Sequence, residues 1–456
     1  MTLHESAPKL SAEEYEANFA DISPLMTPRQ AAIEAARCLF CFDAPCTIAC
    51  PTHIDVPAFI KKISTNNLRG SARVILSANI LGESCGRVCP TEALCEGACV
   101  MNEKGEEAIE IGRLQRYSVD YVLDRKIDLF SVGAANGKRV ACIGSGPASL
   151  ACAAELAKWG YSVTIYDKNQ LPGGLNTHGI AAYKTRAQEA VREAEMVKRL
   201  GVRFEQGVEV GKDAPFPILE AENDAIFIGV GLGETWDLQI PGAELRGVYG
   251  AMDFIEQTKL KSFVEVEVGR RVACIGAGNT AIDVVTAARR LGAESVHLLY
   301  RRGEEDMSAF PYEHEIAQHD GVEFHWNTQL VRILGDGGAV TAIECVRTRT
   351  QTDGEAHGKT RAPEPVPGSE YTILVDMVVR AIGQKPVTEF LRAVKGVGLN
   401  KDGTIAVNER RQTGNPKYFA GGDCVNGGRE VVDAVAEGMA AARGLDAWLG
   451  KPRGKK

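Results

Sequence analysis

From Lys138 onward the chain alternates short apolar runs of strand length with longer stretches of helical periodicity. Arg139–Ile143 (RVACI) reads as a strand, Pro147–Trp159 as a helix stopped by Gly160, and Ser162–Tyr166 (SVTIY) as the next strand. Thr185–Leu200 reads as an amphipathic helix ended by Gly201. The grammar restarts at Arg271–Ile275 (RVACI again), with a helix to Leu291 and a strand at Ser295–Tyr300. Two copies of RVACIG therefore predict an α/β fold with two doubly wound dinucleotide-binding domains, whose ligands sit at the C-terminal ends of parallel strands. Before Lys138 there are few β-branched runs, so helices and loops are expected there, with Thr27-Pro28 as a helix start and 131–137 as a small-residue linker. The pattern shifts set boundaries. They give a loosely ordered extension with short helical pieces (1–27), a helical domain (28–130), an α/β segment (138–262), a second nucleotide domain (263–375), a return segment (376–448) and a basic tail (449–456). Residues 351–369, rich in Gly and Pro, read as an exposed loop.

Composition narrows the class. With 456 residues, 45% apolar and 25% charged, the chain fits two or three soluble globular domains. A net charge of -8 speaks against nucleic acid as a partner. The polar, acidic start MTLHESAPKL lacks an apolar targeting core, and no run approaches a membrane span, so a cytoplasmic protein with no membrane partner is expected. The 13 cysteines are uneven: eight fall between Cys38 and Cys99. Cys142, Cys152, Cys274, Cys345 and Cys424 stand alone and read as small apolar fillers. In a reducing compartment the clustered eight point to metal or cluster ligation rather than disulfides.

The first glycine turn is Gly144-Ser145-Gly146-Pro147-Ala148-Ser149, between strand and helix. Its first glycine permits the tight turn, and its second lets backbone approach a pyrophosphate seated on the helix amides. Asp167, 23 residues after Gly144, ends the second strand, where an acid can bond a ribose hydroxyl. The second turn is Gly276-Ala277-Gly278-Asn279-Thr280-Ala281, and its second strand ends in Tyr300-Arg301-Arg302 without an acid. Paired arginines suit a 2′-phosphate, but they also suit solvated surface charge, and Glu304, Glu305 and Asp306 work against a phosphate. The ligand is therefore written NAD(P)H.

The cysteine block runs Cys38-x2-Cys41-x4-Cys46-x3-Cys50-Pro51, then Cys85-x3-Cys89-Pro90, Cys95 and Cys99. Cysteine runs closed by Cys-Pro are how two-cluster ferredoxin-like proteins exchange their last ligand. Iron–sulfur clusters and structural zinc both suit this many thiolates. If the chain also holds a flavin, as the resemblance given next implies, clusters are favoured, since they carry single electrons and zinc carries none. The alternative of a different class is a zinc-stabilised nucleotide-binding protein without turnover. Spacing alone nominates Cys85 as the eighth ligand.

Leu171-Pro172-Gly173-Gly174-Leu175 and the stretch Tyr418-Phe419-Ala420-Gly421-Gly422-Asp423 resemble the further flavin-contact segments of flavoproteins of the glutathione-reductase type. The resemblance implies FAD at the first glycine turn, contacted by Gly173, Gly174, Leu175 and Gly422, with Lys168 and Val210 in the same pocket and Asp423 on the ribityl chain. It also implies that the second nucleotide domain is inserted in the FAD domain. Val379-Arg380-Ala381-Ile382-Gly383 resembles the segment that crosses between the two, so Ala381, Ile382 and Gly383 join the cofactor set.

The cysteine block resembles a narrower family. Cys38-Leu-Phe-Cys41-Phe-Asp-Ala-Pro-Cys46, Cys50-Pro-Thr-His-Ile-Asp, Leu81-Gly-Glu-Ser-Cys85-Gly-Arg-Val-Cys89-Pro-Thr91 and Ile111-Gly-Arg-Leu-Gln115 closely resemble the N-terminal half of dihydropyrimidine dehydrogenase. The chain is similar to the flavin-containing small subunit of the bacterial two-subunit form and, more distantly, to the small subunit of glutamate synthase. The resemblance implies one 4Fe–4S cluster on Cys38, Cys41, Cys46 and Cys99. It implies a second on Cys50, Cys89, Cys95 and, in place of a thiolate, Gln115. It places Lys184 at the flavin and Arg301 and Arg302 at an adenosine 2′-phosphate, whereas a third basic position of the family is Ser308 here, which opens the way to NADH. No catalytic acid or base is expected, since hydride transfer to a flavin needs orientation only. The implied role is electron input from NAD(P)H, through FAD and two clusters, to an FMN- and iron–sulfur-containing subunit that interconverts uracil or thymine and their dihydro forms.

Overall fold

The computed structural model describes residues 6–349 and 362–450. The basic tail beyond Gly450, residues 350–361 of the Gly- and Pro-rich loop and the first five residues lie outside the described residues. Contacts divide the chain into two compact units. One is residues 6–21, 178–183 and 234–385, and the other is 22–177, 184–233 and 386–450.

The larger unit starts with helices. Thr27 caps Pro28–Arg37 through a reciprocal pair with Gln30, with Pro28 at the first helical position. Val56–Ser64 buries Val56, Phe59, Ile60 and Ile63, a stripe at helical spacing, and Asp55 accepts from Ala58 N to cap it. Gly82–Val88 packs on Ile111–Asp124. This helical body continues into a five-stranded parallel sheet in the order Tyr418–Ala420, Ala225–Ile228, Arg139–Ile143, Ser162–Asp167, Arg203–Gln206. The helix Pro147–Lys158 ends at Trp159, and Gly160 takes the left-handed conformation expected of a stop. Its neighbour in the packing is the C-terminal helix Val431–Leu449, which brings the return segment against the first glycine turn.

A buried ionic network ties the helical body to the flavin-type fold. The Glu193 carboxylate, on the helix Ala187–Arg199, accepts from the Glu83 and Ser84 amides at 2.8 and 3.0 Å and from the Ser84 hydroxyl. Arg192 pairs with Glu83 and Asp124, while Arg87 bridges Glu83 and Asp120 at 3.2 Å each. Burial pushes the Glu193 carboxyl up to about 8. Removing one partner from such a buried network would leave the opposing charge uncompensated.

The smaller unit holds a second five-stranded parallel sheet in the order Val248–Gly250, Met377–Arg380, Arg271–Ile275, Ser295–Leu299, Glu323–His325. An antiparallel sheet of Thr328–Asp336, Ala339–Arg349 and Tyr371–Leu374 joins it, with the short strand Glu364–Pro365 inside the stretch expected as a loop. The unit changes hands at Gly233/Glu234 and Lys385/Pro386, where the sequence pattern set 262/263 and 375/376. The reason is Val248–Gly250, a three-residue strand too short to show periodicity, which pairs with Met377–Arg380 and carries the helix Ala251–Leu260 into this unit.

The extension carries the short helical piece expected of it, but that piece is packed rather than loosely ordered. Residues 6–21 are part of this unit, with a helix Ala12–Asn18 capped reciprocally by Ser11 and Glu14. Tyr15 and Phe19 are buried, and the Phe19 ring stacks on Phe263 with centroids 4.0 Å apart. Phe263→Leu removes that stacking, about 1 kcal/mol beyond area burial, so hydrogen exchange at the Tyr15 and Phe19 amides should quicken while the two parallel sheets stay protected.

Candidate functional site

The first glycine turn is shaped by sterics. Gly144 has φ +90°, and a Cβ there would meet the Gly229 carbonyl oxygen at 2.3 Å. Ser145 then folds back on the acid of the next strand. Asp167 Oδ2 accepts from Ser145 N at 2.6 Å and Ser145 Oγ at 2.7 Å, and Oδ1 accepts from Asn169 N. Gly173 N donates to the Ser145 carbonyl, and Gly174 lies against Gly146, so the Leu171–Leu175 segment closes over the turn. Pro147 and Ala148 open the helix beneath it.

The distant segment arrives at the same place. The space beside Gly422, φ +80°, is bounded by the Ala148 side chain, and Gly422 N donates to Glu437 Oε2 at 2.7 Å. Glu437, a buried acid on the C-terminal helix and ion-paired with Arg411, was not foreseen; its only sequence signal is a charge at a helix position otherwise facing the core. Asp423 follows. Burial pushes its carboxyl up to about 6, against a backbone bond from Arg429 that pulls it down. Lys184 is buried, and its charge pulls down the Glu92 carboxyl that burial raises. Val210 lies in the apolar cluster beneath the strands, while Lys168 is exposed.

In the smaller unit the second turn repeats the device. Gly276 has φ +131°, and a Cβ there would meet the Ala381 carbonyl oxygen at 2.2 Å. Ala381 N donates to Ile275 O, and Gly383 O accepts from Trp236 N. The Ala381–Gly383 segment therefore lies on the turn. The Ala277 carbonyl accepts from Ser308 N and Ala309 N, and Asn279 Oδ1 accepts from Phe310 N at 3.0 Å. Ser308 Oγ also stands 3.3 Å from where a Gly278 Cβ would be, so residue 308 borders the glycine turn itself. Thr280 is in the first turn of the helix Asn279–Arg290. Arg301 is exposed and Arg302 half-buried, directly after the strand Ser295–Leu299, with their carbonyls fixed by Thr348 Oγ1 and Asn327 N.

The cysteines converge. Cys38 ends the helix Pro28–Arg37, Cys41 follows in the next bend, Cys46 sits on Pro45–Ala49, and Cys99 precedes Val100–Glu103. These four line one cavity whose other walls include Leu39, Val56, Pro57, Ile60, Ile109 and Ile111. Burial raises the Cys38 thiol and pushes Cys46 up to about 11. In so apolar a setting thiolates form only with a cation to neutralise them, and the donor set of four sulfurs suits a thiolate-bound metal centre. All 13 cysteines are free of disulfides.

A second group lies beside the first. The half-buried Cys89 thiol is raised by a hydrogen bond with Cys85, by burial and by the charges of Cys95 and Cys50, while burial first and then the charges of Cys50 and Cys46 raise Cys95. Gln115 is buried on Ile111–Asp124, and its Nε2 donates to the Gly82 carbonyl at 2.7 Å, so the amide nitrogen is committed to backbone. Gly82 begins the helix that carries Cys85, so both nominees for the eighth position adjoin one element.

Comparison with known proteins follows these divisions. Residues 15–127 match the family described as dihydropyrimidine dehydrogenase domain II, 4Fe-4S cluster, and residues 138–438 match the pyridine nucleotide-disulphide oxidoreductases. The glutamate synthase [NADPH] small chain of Escherichia coli (strain K12) is 37% identical over 448 residues, covering 94% of each chain. The NAD-dependent dihydropyrimidine dehydrogenase subunit PreT of Escherichia coli O157:H7 is 32% identical, over 95% of this chain and 98% of that one. Among solved structures, Mycobacterium tuberculosis FprA in complex with NADPH superposes with a TM-score of 0.57 at 20% identity, over 68% of this chain and 84% of that one, a likeness of fold.

Proposed function

Since the chain belongs to the glutamate synthase small-subunit family of NAD(P)H-dependent flavin and iron–sulfur oxidoreductases, within the pyridine nucleotide-disulphide oxidoreductases, we propose that it is an electron-input subunit serving a separate catalytic chain. Its cofactors are FAD, NAD(P)H and 4Fe–4S clusters, which supply hydride acceptance and one-electron carriage when bound. The observation that carries the reading is the cavity lined by Cys38, Cys41, Cys46 and Cys99 in a chain that also folds two glycine-turn nucleotide domains. Among the described residues no helix is long and apolar enough to cross a membrane.

In this reading Gly144–Ala148 hold the flavin pyrophosphate, Asp167 positions the turn and the ribose end, and Gly173–Leu175, Lys184, Gly422 and Asp423 complete the pocket, with Lys168 and Val210 at its margin. Gly276–Thr280 hold the nicotinamide nucleotide, with Arg301 and Arg302 at its adenosine end and Ala381–Gly383 beside the turn. Cys38, Cys41, Cys46 and Cys99 hold one cluster. Cys50, Cys89, Cys95 and Gln115 hold the other. The partner carries FMN and reduces uracil or thymine, a choice that rests on the Asp-Ala-Pro-Cys46 and Pro51-Thr-His-Ile-Asp55 motifs. A glutamate synthase-type partner is the second reading, favoured by the 37% identity to that small chain. Co-purification of the native complex, followed by NADH and NADPH oxidation with uracil or with glutamine and 2-oxoglutarate, separates them. Oxidation with the second pair alone removes the pyrimidine assignment.

Two substitutions test the assigned residues. Gln115→Cys adds a negative charge to its cluster and should lower that cluster's potential in an EPR-monitored titration; Cys85→Ala should leave iron content unchanged. Loss of iron in Cys85→Ala, with none in Gln115→Ala, would reassign the ligand. Ser308→Lys should raise the ratio of kcat/KM for NADPH over NADH by roughly tenfold, the worth of one charge-assisted bond to phosphate. An unchanged ratio would mean that residue 308 does not reach the 2′ position.

A further inference from the structure

Away from the nucleotide turns, the smaller unit brings two imidazoles and a carboxylate together at a sheet edge. His297 lies on Ser295–Leu299, and Glu323 and His325 lie on the edge strand Glu323–His325. The strands are parallel, with His297 opposite Glu323 and Leu299 opposite His325. Side chains two apart share a face, so this register puts all three on the same side. His297 Nδ1 is 3.1 Å from His325 Nε2 and 3.4 Å from Glu323 Oε2. The three ligand atoms all lie within 4.8 Å of one another.

These separations fit a coordination sphere. A tetrahedral centre with bonds of about 2.0–2.1 Å to nitrogen and oxygen sets its donors about 3.3 Å apart. We propose that His297, Glu323 and His325 form a site for a divalent transition metal of the zinc class, with a fourth position left to water. Two imidazoles and one carboxylate suit such a metal and not magnesium, which wants oxygen. Arg347 is the opposing charge at His325; its guanidinium donates to Thr328 Oγ1 and lies over the Tyr371 ring. An occupied site clamps the edge strand to the strand that runs on into Tyr300, Arg301 and Arg302, where Tyr300 N already donates to the His325 carbonyl.

The test uses the full chain with its own cofactors, freed of loose metal on a chelating resin under nitrogen and titrated with ZnCl2. Calorimetry should show a site that MgCl2 does not compete for. The affinity should fall at least about tenfold in Glu323→Gln and His325→Gln, and stay unchanged in His319→Gln, an exposed histidine of the same unit. Glu323 is exposed, so Glu323→Gln preserves the fold if a histidine variant does not. Zinc-edge absorption of the one-equivalent complex should show nitrogen and oxygen at about 2.0–2.1 Å. A sulfur shell at about 2.3 Å would place the metal on cysteines and overturn the proposal. Equal affinity in wild type and Glu323→Gln, or no binding at millimolar zinc, would also overturn it.

Discussion

Cys99→Ser is expected to remove one cluster and leave the flavin in place. Anaerobically purified wild-type chain should carry two iron–sulfur centres, and the variant should keep half of the iron and acid-labile sulfide. Cys99 shares its cavity with Cys38, Cys41 and Cys46, although it lies far along the chain from them. A serine hydroxyl has nearly the same volume, so the apolar wall of Val56, Ile60 and Ile111 stays filled. What changes is the donor, since an alcohol does not replace a thiolate on a soft metal centre. Nicotinamide oxidation with a two-electron dye should persist, because both glycine turns are elsewhere. Electron delivery to the partner chain should fall by several orders of magnitude. The same substitution at Cys424, which packs under the strands beside the Gly421 carbonyl, should leave iron unchanged. If Cys99→Ser retained all its iron, the four-cysteine cavity would not be a cluster site.

Which of these features could be read from the sequence depended on the range over which each acts. The two strand–glycine–helix units are local: the turn, the helix start at Pro147 and the left-handed stop at Gly160 all lie within a few residues of one another. The cysteines could be listed from spacing but not sorted, since the partition depends on Cys99 returning from far along the chain to the cavity lined by Cys38, Cys41 and Cys46. Gln115 carries no spacing signal at all, being one amide on an amphipathic helix, and only family resemblance pointed to it. Glu437 and the His297–Glu323–His325 group were invisible for a related reason. One depends on a helix reaching a turn far away in the chain, the other on parallel register between strands that a helix separates. The N-terminal helical piece was expected but its packing was not, because Tyr15 and Phe19 make a short apolar pair whose partner, Phe263, belongs to the inserted unit.

Gly144→Ala and Gly276→Ala should split the two nucleotide functions. Each adds one methyl group, and in each case the methyl has no room. At Gly144 it meets the Gly229 carbonyl oxygen at 2.3 Å, and at Gly276 the Ala381 carbonyl oxygen at 2.2 Å. Both contacts are with backbone, which cannot swing aside as a side chain can. Both glycines also hold positive φ, +90° and +131°, where an L-residue is strained. The turn must therefore open, and the amides that would face a pyrophosphate lose their alignment. For Gly144→Ala the expected result is protein with less than about a tenth of the wild-type flavin after desalting, as a loss of 1.4 kcal/mol or more in binding would give. Iron content should stay the same, because the cysteine cavity draws no wall from this turn. For Gly276→Ala flavin and iron should both be retained, while the rate of flavin bleaching by NADH and NADPH falls at least about tenfold and dithionite still bleaches it fully. The contrast is the informative part. If Gly276→Ala emptied the flavin site and Gly144→Ala slowed only the nicotinamide step, the two pockets would have to be exchanged, and electrons would enter the chain from the opposite fold.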